Sequence, residues 1–359
     1  MMRRLFKGIL ILVIVLVVVV AAYVAYVFLS YKRLPEKLEL AVESTTKESF
    51  ATNQEYKIMS YNIGYGAYPA DYSFFMDGGK YSRAYDEATV EQNMLGILET
   101  TADVNPDIAL FQEVDEDGDR SFHVNEVKQL TDEDTLPGYS SVYAQNYDSA
   151  YLFYPVTNPI GKAKSGIVTL AKGEISQSTR YSLPIDTDFN KFFDLDRAIS
   201  VSEIPVKGDK TLTLINLHLS AFTKNRKVRE AQLNLLFDQM TKAYEAGHYV
   251  IVGGDYNHDM LGNSPEVFGT QTEPFNWTHP FPESDLPEHF QVAKGNLAQA
   301  KIPSVRRNNE PYVKGESFVS IVDGFLVSDN VKVNQVAVID NGFANSDHNP
   351  ITMNFTLVE

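Results

Sequence analysis

Residues 249–257 read Tyr-Val-Ile-Val-Gly-Gly-Asp-Tyr-Asn (YVIVGGDYN). A short β-branched apolar run that ends on two glycines and then a carboxylate and an amide is a buried strand delivering polar side chains at its end. Such groups emerge at the margin of a sheet, where a ligand can reach them. The same grammar recurs along the chain. Asn62 follows KIMSY, Glu113 follows DIALFQ, and Asp347 and His348 stand in ANSDHNP before another apolar run.

Working outward, short β-rich runs occupy 56–63, 107–112, 139–144, 166–171, 198–206, 211–219, 249–253, 318–327, 331–340 and 351–357. Helical periodicity covers 224–246, which stops at Gly247, and roughly 86–101. Many strands with interspersed helices predict an α/β domain of two stacked, mostly antiparallel sheets with helices outside, a four-layer α/β/β/α sandwich. Residues 259–317, rich in Pro, Asn and His, read as a long irregular insertion of the kind that carries specificity.

The N-terminal segment has another character. Gly8 to Leu29 contains no charged residue, enough for a helix to cross a hydrocarbon core of about 30 Å. A cleaved signal peptide is the alternative, but its apolar stretch would be shorter, and no small-residue cleavage site precedes a polar start. The reading is therefore an anchor at 1–30, a polar stalk at 31–55 and a catalytic domain at 56–359. Arg3, Arg4 and Lys7 ahead of the span give a modest bias toward a cytoplasmic N-terminus and an extracytoplasmic domain.

Cysteine is absent, which excludes disulfides, thiol nucleophiles and cysteine-based zinc sites. Residues 1–33 hold five basic and no acidic residues, leaving 26 basic against 47 acidic beyond them, a net −21. That charge repels polyanions and disfavours, without forbidding, a nucleic-acid substrate. The densest basic cluster is Lys224, Arg226, Lys227 and Arg229, either flanking a site or opening a solvated helix. Hard oxygen donors of the kind that stand at these strand ends, Asn62, Glu113, Asp255, Asn257 and Asp347, suit Mg²⁺. Taken singly, each of these carboxylates would read as a turn residue, each asparagine as a turn cap and His348 with Asp323 as a structural ion pair.

In order, MSYNIG (59–64), LFQEV (110–114), NLHLS (216–220), GGDYN (253–257), SIVDGF (320–325) and SDHNP (346–350) resemble the motif series of the endonuclease/exonuclease/phosphatase superfamily, over about 56–359. The resemblance implies a deoxyribonuclease I-like fold and metal-dependent phosphoester hydrolysis with Mg²⁺, for which Mn²⁺ can substitute. It assigns Glu113, Asn62 and Asp347 to the metal and phosphate environment, and His218 to the scissile phosphate. Asp323 would orient His348, and either His348 or Asp255, the latter oriented by Asn257, would activate water. Arg197 resembles a phosphate-gripping basic residue, with an ion pair to Asp194 or Asp196 as the alternative.

The sequence departs from deoxyribonuclease I in one respect, since the region before SGIVTLAK offers His218 no glutamate partner and only Asp148 as an acid. That region is instead rich in aromatics, including Tyr143, Tyr147, Tyr151, Phe153 and Tyr154, a platform for an apolar group or packing for a loop. The remaining histidines, at 123, 248, 258, 279 and 289, read as surface or loop residues. The expected function is a membrane-anchored phosphodiesterase or phosphatase, with a lipid or inositol phosphate headgroup as the leading substrate. An external nuclease, a noncatalytic binding protein retaining the fold and an enzyme facing the cytoplasm are the alternatives. No obligate protein partner is inferred.

Overall fold

The computed structural model describes residues 2–192, 194–221, 225–269 and 278–359. In chain order the elements are α1 (Met2–Ser30), β1 (Lys37–Glu39), β2 (Val42–Glu43), β3 (Glu55–Asn62), α2 (Glu87–Val104), β4 (Ile108–Gly118), α3 (Glu126–Thr131), β5 (Ser140–Asp148), β6 (Ala163–Ala171), β7 (Gln177–Ser182), β8 (Ala198–Val206) and β9 (Lys210–His218). They continue with α4 (Arg226–Glu245), β10 (Tyr249–Asp255), α5 (Ser264–Phe268), β11 (Phe290–Val292), α6 (Leu297–Ala300), β12 (Val305–Arg306), β13 (Val319–Ser320), β14 (Asp323–Ser328), β15 (Val331–Val338) and β16 (Ile351–Leu357).

Two seven-stranded sheets result, ordered β1-β7-β8-β9-β10-β14-β11 and β15-β16-β3-β4-β6-β5-β2. Pairing is antiparallel except at the centres, where β9 runs parallel to β10 and β3 parallel to β4. Period-two alternation explains the layers. Ile58 of β3 with Ile108 and Leu110 of β4 face the other sheet, in one core with Ile215, Val252 and Phe325. Met59, Tyr61, Ala109 and Phe111 point the other way, against Val90, Met94 and Ile97 of α2. Asp86 caps α2, its side chain accepting from Thr89 N, so this helix starts where its first carboxylate can satisfy an orphan amide. On the opposite flank α4 packs against β10 and buries Leu233, Leu236, Phe237 and Met240.

One polar tie crosses this apolar interior. Gln112 donates to Asn216 Oδ1 at 2.9 Å, Asn216 donates to the carbonyl of Val168 at 3.0 Å, and Ser60 Oγ meets Gln112 Oε1. A satisfied buried amide pair fixes the register between sheets more narrowly than apolar packing does, because a slip would strand both partners.

The 31–55 segment is not a free stalk. Leu38 pairs with Arg180, and Val42 pairs with Val142, so β1 and β2 add an edge strand to each sheet. Phe50 is buried and stacks on Tyr56 at 4.3 Å. The polar composition misleads because strands of two or three residues at a sheet edge cover only one face. The polar strand β7 (QSTRYS) also escaped the periodicity reading. The predicted strand 318–327 is two strands, β13 and β14, separated by the turn that presents Asp323.

At 29 residues, with an 18-residue stretch whose mean hydropathy is 3.2, α1 is long and apolar enough to cross a membrane. Its last turns do not stand clear of the domain. Tyr23 Oη donates to the carbonyl of Tyr151 and accepts from Phe153 N, Tyr26 Oη accepts from Tyr151 N, and Val27 packs with Ala150 and Phe192.

Candidate active site

Strand register assembles the site. Asp255, the last residue of β10, lies opposite His218, the last of β9, on one side and opposite Asp323, the first of β14, on the other. From the second sheet, Asn62 ends β3 and Glu113 sits where the β4–β6 register shifts between Phe111 and Val114. Gly254 makes the approach possible, because at φ +146° a Cβ there would lie 2.1 Å from the carbonyl oxygen of Leu217. Four non-glycine residues bordering the site hold positive φ: Tyr65 (56°), Glu113 (55°), Arg197 (48°) and Asn257 (47°). Each such backbone costs of order 1–3 kcal/mol, and strain of this kind concentrates at functional sites.

Asp255 is the hub. Its Oδ2 accepts from Asn62 Nδ2 at 3.0 Å and its Oδ1 from the backbone N–H of Asn257 at 2.9 Å. His218 Nε2 lies 3.5 Å and His348 Nε2 3.8 Å from the same Oδ2. Asn257 in turn anchors the loop by donating to the carbonyl of Leu219 at 2.8 Å. On the far side of the imidazole, His348 Nδ1 meets Asp323 Oδ2 at 2.8 Å. The orienting pair inferred from sequence is therefore present as a buried carboxylate–imidazole contact.

Electrostatics separate the two histidines. Burial alone would lower the pKa of His348, but the charge and hydrogen bond of Asp323, with Asp255 and Asp347 behind it, raise it to about 10. His218 is held well below its ordinary value by burial, with Arg197 and His348 acting in the same direction, so it is a neutral imidazole. Burial, followed by the charge of Asp323, lifts Asp255 to about 6 against the hydrogen bonds that favour its anion. Glu113 Oε1 lies 3.7 Å from His218 Nε2, but no glutamate among the described residues reaches the opposite ring nitrogen. Among the described residues His218 Nδ1 is buried without a hydrogen bond, and Asp148 lies 3.9 Å from Lys162 instead.

Glu113 and Asp347 face one another across the mouth. Burial first, then the charge of Asp347, pushes the Glu113 carboxyl up to about 8, and burial and Asp347 together raise Asp77 to about 6. Two carboxylates lifted by burial and by the charge of Asp347 fit a hard divalent cation, which would lower both. Asp255, Asp323 and His348 also bring ligand atoms within 4.8 Å of one another. There, however, His348 Nδ1 is already committed to Asp323, so that trio fits proton handling better than metal ligation. Asn62 holds both Asp255 and, through Oδ1, the N–H of Gly64, which leaves one carbonyl lone pair for a cation or phosphate environment.

Arg197 makes the ion pair with Asp194 that its sequence allowed. Its Nη2 donates to Asp194 at 2.9 Å, while among the described residues Nε and Nη1 are buried without a hydrogen-bond partner at the edge of the site. Sequence reasoning missed Asp77, Arg306 and Asn308, which lie where no element was predicted: Asp77 ends a short 3-10 turn and Arg306 ends β12. Asn308 Nδ2 donates to Asp347 Oδ2 at 3.1 Å, and Arg306 is buried and donates to the carbonyl of Pro69 at 2.8 Å. No periodicity marks either residue. Of the basic cluster, Arg226 pairs with Glu230, and Lys224 lies outside the described residues. His258, read as a surface or loop residue, sits in the loop after β10 but is buried, with Nδ1 2.6 Å from the carbonyl of Tyr256.

The sequence profile of the endonuclease/exonuclease/phosphatase family matches residues 59–348, from the Asn62 strand through His348. The chain belongs to this family. Its members are hydrolases acting on phosphoester bonds and are generally dependent on divalent metals. Solved structures agree on the fold. A family protein from Beutenbergia cavernae DSM 12333 aligns over 85% of this chain and 72% of its own at 14% identity, TM-score 0.54. The human Nocturnin catalytic domain with bound sulfate aligns over 91% and 100% at 16% identity, TM-score 0.53. ANGEL2, a 2',3'-cyclic phosphatase in complex with adenosine-2',3'-vanadate, aligns over 89% and 99% at 13% identity, TM-score 0.57. No curated protein matches the sequence.

Proposed function

We propose that this chain is a membrane-tethered, Mg²⁺-dependent phosphoester hydrolase in which Asp255 activates water and His348 acts as a cation. The observation that carries the reading is the shared hub. One carboxylate oxygen of Asp255 lies within 3.8 Å of both imidazoles, beside Glu113, Asp347 and the unpartnered edge of Arg197. Glu113 and Asp347, with Asn62 beside them, would hold the cation, which when bound neutralises phosphate charge. Asp255 at about 6 is ionised near neutral pH and can take the proton of an attacking water. His348, raised to about 10, is already protonated there, which suits stabilising charge on the phosphoryl oxygens rather than abstracting a proton. Neutral His218 and the free guanidinium edge of Arg197 supply further donors for the phosphate.

Anchoring rests on α1 and the basic residues ahead of it, which favour a cytoplasmic N-terminus with the domain outside. Protease added to intact cells should then digest the domain, whereas full protection would reverse the topology. A nuclease is the second reading, and the net −21 beyond residue 33 weighs against it. The test is a panel assay of the full chain on sphingomyelin, phosphatidylinositols, inositol phosphates, plasmid DNA and bis-p-nitrophenyl phosphate, each with Mg²⁺ and with EDTA. The proposal expects Mg²⁺-dependent turnover of a small or lipid phosphoester. Cleavage of plasmid DNA alone would favour the nuclease, and no turnover at all would favour a binding protein.

A further inference from the structure

Beside the catalytic pocket lies a second, larger chamber of about 480 Å³, within the range of ligand-binding cavities. Tyr65, Tyr68, Phe75, Leu152, Tyr154 and Leu195 contribute to its largely apolar wall. It is not a separate site, because Asp77, Glu113, Arg197 and Asp347 border both spaces. A phosphate gripped at this shared border has water-activating groups on one side and an apolar chamber on the other. Neither a hydrated headgroup nor a polyanion has use for such a chamber, whereas a hydrocarbon chain does.

The second observation is what one wall of the chamber is tied to. The loop that supplies Leu152 and Tyr154 to its wall also receives the last turns of α1, through the hydrogen bonds of Tyr23 and Tyr26 to Tyr151 and Phe153. Residues 23–28 lie in the final third of the apolar run that would span the bilayer, and tyrosines in such a position sit at the membrane–water interface. A loop bonded to them is held at the same depth. It presents Phe153, Tyr154 and Val156 at 53%, 60% and 69% exposure. Large apolar side chains so exposed would ordinarily be avoided, and an interfacial position accounts for them.

We propose that the chamber receives the hydrocarbon part of a membrane phosphoester, with the 150–156 loop resting in the interface as its portal. The inference rests on the phosphoester-hydrolase reading of the same site. In the reaction the oxygen of water bonds to phosphorus as Asp255 takes one of its protons, the P–O bond to the leaving group breaks, the departing alkoxide takes a proton from solvent to leave as the alcohol, and Asp255 releases its proton to solvent.

The experiment uses the full chain kept soluble in an amphipathic polymer, with Mg²⁺, and two series followed by phosphorus NMR: alkyl phosphates and alkyl methyl phosphates from ethyl to octyl. In the series that is cleaved, kcat/KM should rise about three- to fourfold per methylene, the increment for burying each CH₂. Leu152→Trp and Leu195→Trp, which fill the chamber, should lower the octyl-to-ethyl ratio at least tenfold. Poor folding would depress both esters alike and leave that ratio unchanged. Reconstituted in phosphatidylcholine vesicles, the chain should also cleave a hexadecyl ester of the active series embedded in the same bilayer.

A flat chain-length profile, an unchanged ratio in both variants, or a thymidine methyl phosphate cleaved faster than the octyl ester would overturn the inference while leaving the hydrolase reading intact. Cleavage of free esters but not of the embedded one would overturn the membrane portal. Absence of turnover on every ester would remove the hydrolase reading and this inference with it.

Discussion

Replacing Asp323 with Asn removes the negative charge that keeps His348 protonated while preserving the shape of the contact. In the native site His348 is raised to about 10, with Asp323 the largest raising influence, against burial that pulls it down. A displacement from about 6.5 to about 10 corresponds to roughly 5 kcal/mol in favour of the imidazolium, an upper bound shared with Asp255 and Asp347. Without the Asp323 charge the value should fall to about 6.5 or lower. At pH 8 the protonated fraction then drops from about 99% to about 3%, and turnover should fall about 30-fold. The assay is initial rate on bis-p-nitrophenyl phosphate with saturating Mg²⁺ from pH 5 to pH 11, with circular dichroism to verify the fold. The native profile should rise through about pH 6 as Asp255 ionises and fall near pH 10. In the variant the alkaline limb should move down by three or more pH units. An alkaline limb still near 10, or turnover at pH 8 within threefold of native, would refute the claim that His348 works as a cation set by Asp323.

Three further outcomes follow from the geometry. Asn308→Ala removes the donor that orients Asp347, so apparent Mg²⁺ affinity should weaken about 10- to 100-fold by metal titration of activity; an unchanged affinity would detach Asn308 from the site. Arg120→Ala strips the bidentate partner from fully buried Asp115, leaving an uncompensated charge, and should destabilise the domain by about 3–5 kcal/mol in denaturant unfolding; a loss under about 1 kcal/mol would show that water reaches Asp115. In EDTA, stability should fall as pH rises from about 4.5 to 8, because Glu113, raised to about 8 in the folded state by burial and then by Asp347, must charge in a desolvated site beside a second carboxylate. Its side chain is 19% exposed, so the loss should stay below about 5 kcal/mol, and Mg²⁺ should abolish it; a melting temperature independent of pH in EDTA would contradict the repulsion.

Much of this architecture is written in local patterns. Strands such as Tyr249–Asp255 announce themselves because apolar runs buried on both faces must be β-branched and must end where glycines and carboxylates begin. For the same reason Asn62, Asp255, Glu113 and His348 could be singled out, since each follows or precedes such a run, whereas His218 was marked by the family resemblance alone. Polar edge strands were not legible. In β1, β2 and β7 one face meets solvent, so their composition reads as loop. Asn308 and Arg306 were hidden for another reason: they act from the stretch that reads as an irregular insertion on residues some 40 and 240 positions away. The chamber belongs to the same category, because its wall gathers side chains from separate loops that no sequence window contains together.

The central claim is that a divalent cation held at Glu113 and Asp347 enables phosphoester hydrolysis at Asp255. It is tested most directly by initial rates of the full chain on bis-p-nitrophenyl phosphate across a Mg²⁺ titration, beside Glu113→Ala and an EDTA-treated control. The account expects turnover to vanish in EDTA, return with Mg²⁺ or Mn²⁺, and fall by about 10²-fold or more in Glu113→Ala while the fold is kept. Turnover undiminished in EDTA, or near-native rates in Glu113→Ala, would contradict it.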